Sequence, residues 1–503
     1  MHHTRRLCAC LPIFAAFFAL ITGCSTTVRT ANSFSGDFTI EAVAADHHIA
    51  SAAGARMLAL GGNAVDAAVA TSFALSVVRP YSCGIGGGGF MVIHLPADPV
   101  RGRVTTALNY RETCPQGVDS DFFQDRPLDS SRIGGLAVAV PGTVAGLLHA
   151  LEHYGTLDRS EVLQPAILAA ERGFAVDAHY LAEAQSLVAK FRQNPQLQER
   201  FPLLWKQYLL QGHVQEGSRI KSPQQAQVLR LIARSGRDGF YAGPVAEAIV
   251  ASVAGDGGVL TLEDLASYRV REVPPLEFAF EVGVILTMPP PSSGGVALAQ
   301  MLGLLHRTGG LSQTHDVSAS DHRLVEAMKH AFADRARYMA DPDFVPVPIE
   351  RLLSDEHLDA LAARFDPSGV QSPSTYGSTA EPASLLPDDA GTSHFCVVDQ
   401  WGGAVSCTET INLAFGSKLG VTEFGFLLNN EMDDFTTKVG QANAFGLVQS
   451  ETNLPEPGKR PLSSMTPTIV LDANGSVRVI AGASGGPRII SATTQVILHA
   501  LQG

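Results

Sequence analysis

Thr392 follows Gly391 at the head of an apolar run, Thr392-Ser393-His394-Phe395-Cys396-Val397-Val398. Its hydroxyl is a weak nucleophile until a base takes the proton. Cutting the bond between Gly391 and Thr392 would create that base within the same residue, because a free α-amine has a pKa of roughly 7.7–8.0 in model compounds. Glycine at 391 gives the backbone the latitude that a strained self-cleavage needs. Gly-Thr before a strand also describes an ordinary strand start, so the pair gains meaning only from what surrounds it. Downstream, hydroxyls, carboxylates and glycines concentrate in Thr408-Glu409-Thr410-Ile411-Asn412, Asn429-Asn430-Glu431-Met432-Asp433-Asp434-Phe435, Lys459-Arg460-Pro461-Leu462-Ser463-Ser464-Met465 and Gly482-Ala483-Ser484-Gly485-Gly486.

Two of the glycine-rich motifs invite other chemistry. Gly482-Ala483-Ser484-Gly485-Gly486 fits G-x-S-x-G, with a strand expected before it and a helix after, so Ser484 is a rival nucleophile. Such a hydrolase needs an acid and then a histidine further along. No Asp or Glu follows Ser484, and His499 falls inside the last helix. Gly84-Ile85-Gly86-Gly87-Gly88-Gly89 fits G-x-G-x-x-G, but a helix precedes it and a strand follows. That is the reverse of a dinucleotide site, and close backbone packing is the expected reason for the glycines.

The ordered set, from Gly61-Gly62-Asn63-Ala64-Val65-Asp66-Ala67-Ala68 and the 84–90 glycine run through Tyr110-Arg111-Glu112, Val140-Pro141-Gly142-Thr143-Val144-Ala145-Gly146 and Pro291-Ser292-Ser293-Gly294-Gly295 to the downstream motifs, resembles the γ-glutamyltranspeptidases (glutathione hydrolases). These are N-terminal-nucleophile hydrolases, and the resemblance covers nearly everything after residue 38. It implies a four-layer αββα sandwich, cut between Gly391 and Thr392 into a large subunit, 39–391, and a small one, 392–503. It also implies a site. Thr392 is the nucleophile and Thr410 orients its hydroxyl. The N–H groups of Gly485 and Gly486 form the oxyanion hole, where one donor is worth about 3 kcal/mol. Arg111 grips the α-carboxylate of a γ-glutamyl group, helped by Ser463 and Ser464, while Glu431, Asp434 and Asn412 hold its ammonium. Glutathione and other γ-glutamyl amides are the implied donors, and water, amino acids or peptides the acceptors. No cofactor and no metal are implied. A cephalosporin (glutaryl amide) acylase of the same fold is the near alternative, and an uncleaved, inactive γ-glutamyl-binding protein of the cell envelope the distant one.

The chain departs from the family pattern in places. Ser393 stands where threonine is frequent, Trp401-Gly402-Gly403-Ala404-Val405 alters a turn, and Phe445 replaces a lid tyrosine within 439–449. The family usually continues several dozen residues further, so the C-terminal part is expected to be truncated.

These residues need a large scaffold to hold them. The chain has 503 residues, 45% hydrophobic and 17% charged, which is ample for a core and unlike a disordered chain. A net charge of −13 disfavours nucleic acid as a partner. Residues 1–23 read as a signal peptide, with Arg5 and Arg6 before an apolar stretch from Leu7 to Ile21. Ile21-Thr22-Gly23-Cys24 resembles a lipoprotein box, which makes Cys24 the expected lipidation site, 24–38 a tether and the periplasmic side of a bacterial envelope the expected location. Cys83, Cys114, Cys396 and Cys407 are too scattered for a disulfide framework, and the histidines show no metal-ligand spacing. Residues 48–78 predict two Ala-rich helices separated at Gly61-Gly62-Asn63, and 141–240 mostly helices, including 180–211. Strands are expected near 90–95, 104–110, 394–399, 403–410, 467–472 and 476–481, helices over 321–338 and 487–501, and a polar loop over 371–390. That mixture predicts an α+β layered protein.

Overall fold

The computed structural model describes residues 40–98, 100–280, 283–310, 317–376 and 391–502. The expected signal peptide, Cys24, the tether and most of the 371–390 loop lie outside them. The strands that position the site are β1 (Ala42–Ala45), β2 (Gly88–Asp98), β3 (Gly102–Asn109), β4 (Arg271–Val273), β5 (Leu276–Phe280), β6 (Gly283–Thr287), β7 (Gly391–Val398), β8 (Ala404–Asn412), β9 (Thr468–Asp472) and β10 (Val477–Ala481). One sheet runs β1-β7-β8-β2-β3-β4 and a second runs β10-β9-β6-β5. Every pairing in both is antiparallel.

Side-chain alternation builds the layers. On β2, Phe90 and Val92 join Leu286, Ile469 and Leu471 of the second sheet in one buried cluster. The intervening Met91, Ile93 and Leu95 turn the other way, into the cluster of helices α1 (His48–Ala59) and α2 (Ala64–Val78). The second sheet does the same. Ile285 and Val470 face helices α3 (Gly294–Arg307), α4 (Val317–Tyr338) and α5 (Arg488–Gln502). Helices thus cover the outer face of each sheet, and the two inner faces pack on each other.

Local chemistry explains where the elements stop. α2 begins at a reciprocal cap in which the Asn63 side chain accepts from the Val65 and Asp66 amides and Asp66 returns a bond to Asn63 N. It is apolar or small nearly all round and buried throughout. The helix expected over 180–211 is broken instead. Ala178–Gln193 ends before Pro195, and after Gln196–Arg200 the chain passes Pro202 into a single π-helical turn, Leu204–Tyr208. The strands β4 to β6 are not singled out by the sequence, because β5 alternates over only five residues with its charged position exposed. β7 starts three residues earlier than expected, which places Thr392 inside the sheet. Among the described residues, no helix is long and apolar enough to cross a membrane, and all four cysteines are free thiols.

Candidate active site

At the end of β7 the pairing with β8 slips. Thr392 lies opposite Thr410, Gly391 lies opposite Asn412, and a bulge falls between them. Asn412 takes a left-handed backbone (φ 75°), which asparagine tolerates better than most residues. The bulge aims one hydroxyl at two targets. Thr410 Oγ1 donates to the Gly391 carbonyl at 2.6 Å, lies 3.1 Å from Thr392 Oγ1 and accepts from Asn412 N at 2.8 Å. A hydroxyl has one proton and two lone pairs. With its proton on the Gly391 carbonyl, Thr410 accepts the proton of Thr392. The peptide carbonyl in front of Thr392 is therefore polarised by the same group that orients the Thr392 hydroxyl. On the opposite face, Ser393 Oγ pins the strand to Ser82 Oγ at 2.8 Å and to Asp46 at 3.1 Å.

The glycine run packs beneath this corner as expected, and space is the reason. A Cβ on Gly87 would sit 2.1 Å from the Thr410 carbonyl oxygen, and one on Gly88 would sit 2.4 Å from Glu112. His394, two residues along the same strand, is the nearest imidazole in sequence. Burial drops it to about 3, so it stays neutral and is too weak a base for a hydroxyl at neutral pH.

Thr392 and Thr410 share a cavity of about 20 Å³, enough for about one water, with Arg111, Asn412, Glu431, Asp434, Ser463, Ser464 and Gly486. Nine of the ten expected catalytic and binding residues thus line one space. The tenth, Gly485, lies one residue back in the turn that leads into α5. Phe445 closes the cavity against Gly486, where a Cβ would come within 2.6 Å of the phenyl ring. Ser484 is exposed and does not line this cavity.

Arg111 is 1% exposed. Its guanidinium bonds Glu431 and Asp434, and also donates to the carbonyls of Pro461 at 3.2 Å and Leu462 at 3.3 Å. Neither oxygen of Glu112 has a donor, and one oxygen of Glu431 lacks one too. Burial pushes Glu112 up to about 7 and Glu431 well above its ordinary value, against the pull of Arg111. Sequence reasoning missed Arg335, which also lines the cavity. The signal was readable, since Leu324, Ala327, Ala331 and Arg335 continue one buried stripe of α4, and an arginine on such a stripe asks for an explanation.

A larger cavity of about 440 Å³ opens beside Leu95, Pro96, Asp399 and Trp401. Asp399 there is spent on the amides of Ala64, Trp401 and Gly403, so chemistry rather than size identifies the candidate site.

Residues 50–503 match the family model for gamma-glutamyltranspeptidase. The chain is 40% identical over 462 residues to the glutathione hydrolase proenzyme of Pseudomonas sp. (strain A14), spanning 90% of this chain and 77% of that one. Among solved structures it resembles γ-glutamyltranspeptidase from Helicobacter pylori (TM-score 0.62, 35% identity, 70% of this chain and 100% of that one). A cephalosporin acylase from Bacillus halodurans shares the fold (TM-score 0.77, 24% identity, 94% of this chain and 83% of that one).

Proposed function

Because this chain belongs to the γ-glutamyltranspeptidase family, we propose that it is a self-cleaving hydrolase and transferase of γ-glutamyl amides, glutathione among them, with Thr392 as its nucleophile. The observation that carries the residue assignment is the Thr410 hydroxyl bonded to the Gly391 carbonyl while it orients Thr392. In maturation, Thr392 Oγ1 attacks the Gly391 carbonyl carbon, the acyl group shifts from nitrogen to oxygen, and water hydrolyses the ester. The products are a carboxylate at Gly391 and a free α-amine on Thr392.

In turnover that amine takes the hydroxyl proton as Thr392 Oγ1 attacks the γ-carbonyl of the substrate. The Gly485 and Gly486 N–H groups receive the oxyanion. The leaving amine departs with the proton and a γ-glutamyl ester remains on Thr392. Water then releases glutamate, or an amino acid or peptide releases a new γ-glutamyl amide. Arg111 with Ser463 and Ser464 takes the α-carboxylate, and Asp434, Glu431 and Asn412 take the ammonium. The carboxylates beside Thr392 favour an acyl group that carries an ammonium over a glutaryl group, which lacks one. The present cavity is too small for any acyl group, so the segment carrying Phe445 and Leu447 must move for substrate to enter. Lipidation at Cys24 would hold the enzyme at a bacterial envelope membrane, facing the periplasm.

Intact mass and N-terminal sequencing test the reading, with the chain expressed from residue 25 and held near neutral pH. A fragment beginning Thr392-Ser393-His394, with turnover of a γ-glutamyl anilide, is the expected result. A folded chain that stays whole and turns nothing over would refute it and favour the inactive binding protein.

A further inference from the structure

Arg335 is a buried cation with no carboxylate in direct contact. It is 3% exposed and lines the cavity that holds Thr392. Among the described residues no carboxylate lies within 4.0 Å of its guanidinium, whereas Arg111 in the same cavity is engaged by both Glu431 and Asp434. Two serines orient Arg335. Its Nε donates to Ser293 Oγ at 2.9 Å, and its Nη2 donates to Ser464 Oγ at 3.2 Å. A guanidinium has five N–H groups, and the rest of these meet no acceptor among the described residues. Ser293 is fixed in turn, since its hydroxyl and its amide both donate to the Ser463 carbonyl. Burial pulls the Arg335 guanidinium down to about 10, with the like charge of Arg111 adding to it and the more distant Asp434 opposing it.

Building on the γ-glutamyl reading, we propose that Arg335 is a specificity residue that binds the α-carboxylate of the γ-glutamyl group, directly and through the Ser464 hydroxyl it holds. Arg335 acts beside Arg111 on the same carboxylate, and charge is the reason a second cation is needed. Arg111 is already matched by two carboxylates, and those same carboxylates are the ones an ammonium would need. A zwitterionic end that brings one ammonium and one carboxylate shares Glu431 and Asp434 with Arg111 and gives Arg335 the anion it lacks. Ser464 accepts from Arg335, so its own proton is free to be donated into the cavity. A bidentate partner recognises carboxylate geometry as well as charge.

Arg335→Gln tests this in the full self-cleaved protein, read with two amide probes as inhibitors of γ-glutamyl anilide turnover. Glutaramic acid keeps the carboxylate and lacks the ammonium, and 4-aminobutanamide is the reverse. Losing a charged hydrogen-bond partner should raise KM for the anilide and Ki for glutaramic acid by about 50-fold, with kcat and the Ki of 4-aminobutanamide within about 3-fold of wild type. Should Arg335→Gln fail to fold or cleave, Arg335→Lys keeps the charge but loses the fork, and should weaken the carboxylate-bearing ligands alone by about 5-fold. A wild-type chain without γ-glutamyl turnover would overturn the parent reading and this one with it. An active chain in which the substitution weakens both probes alike, or neither, overturns the Arg335 assignment alone.

Discussion

β8 carries buried polar side chains on both faces, and the two faces answer burial differently. Toward the helices, Glu409 receives Ser72 Oγ on one oxygen at 2.6 Å and Tyr110 OH on the other at 3.1 Å. Toward the second sheet, Thr410 and Thr392 open on a cavity where no carboxylate touches Arg335 and one oxygen of Glu431 has no donor. Both faces are buried, so each unpaired group on the open side is held at an energetic disadvantage that the surrounding fold supports. A polar set with complete partners fixes structure. An incomplete one, such as the set beside Thr392, leaves open what a ligand would bring.

Substitution on the open face should therefore remove chemistry and spare stability. Thr392→Ala is the largest case. It should leave one uncut polypeptide, with γ-glutamyl anilide turnover lower by at least about 10³-fold. Processing of that variant between Gly391 and the new alanine would dismiss Thr392 as nucleophile. Thr410→Val comes next, because it removes the donor on the Gly391 carbonyl and the acceptor of the Thr392 proton together. Self-cleavage followed on a gel should slow by about 10²- to 10³-fold, the usual loss for one donor on a developing oxyanion, and Thr410→Ser should restore most of it. Equal rates in Thr410→Val and wild type would mean that the bulge, not the hydroxyl, positions the bond.

The open face was largely legible in the sequence, and the reason is the ordered set of motifs that carries the family resemblance. Thr392, Arg111, Asp434 and Ser463 belong to short motifs whose order along the chain resembles a known family, and the cavity brings them together. Arg335 escaped because its partners, Ser293 and Ser464, are distant in sequence and it sits in a helix with no local motif. The closed face escaped for a similar reason. Glu409 reads as one more polar residue of a strand until Ser72 of α2 is placed against it. Among elements, β2, β3 and β7 to β10 were readable as strand-like runs bounded by loop residues. β4 to β6 were not, because their short runs acquire meaning only when β6 pairs with β9. The glycine run was read correctly as a packing device, since helix-then-strand order excluded the alternative, but what pressed on it, Thr410 and Glu112, required the fold.

Glu409→Gln probes the closed face, and its effect should fall on stability rather than turnover. Burial raises the Glu409 carboxyl from 4.5 to about 7. The folded state therefore holds the proton more tightly than the unfolded chain does. That stabilisation is complete below about pH 4.5 and is lost as pH rises through about 7, a total of about 3 kcal/mol for a shift of this size. The titratable neighbours Tyr110, Cys83 and Cys407 are pushed upward by the same burial and stay neutral across that range. Glutamine has no proton to lose. It keeps one acceptor for Ser72 or Tyr110 and offers an amide donor to the other, whose hydroxyl can turn to accept. Wild-type stability should fall relative to Glu409→Gln from about pH 5 to about 7 and level off by pH 9, with the variant the more stable at the alkaline end and kcat/KM within about 3-fold of wild type. Denaturant midpoints taken across that range read the difference directly, because Glu112 and Glu431 contribute equally to both proteins and cancel. Parallel curves would show that Glu409 does not change charge in the folded protein, and the two faces of β8 would then differ in the cavity alone.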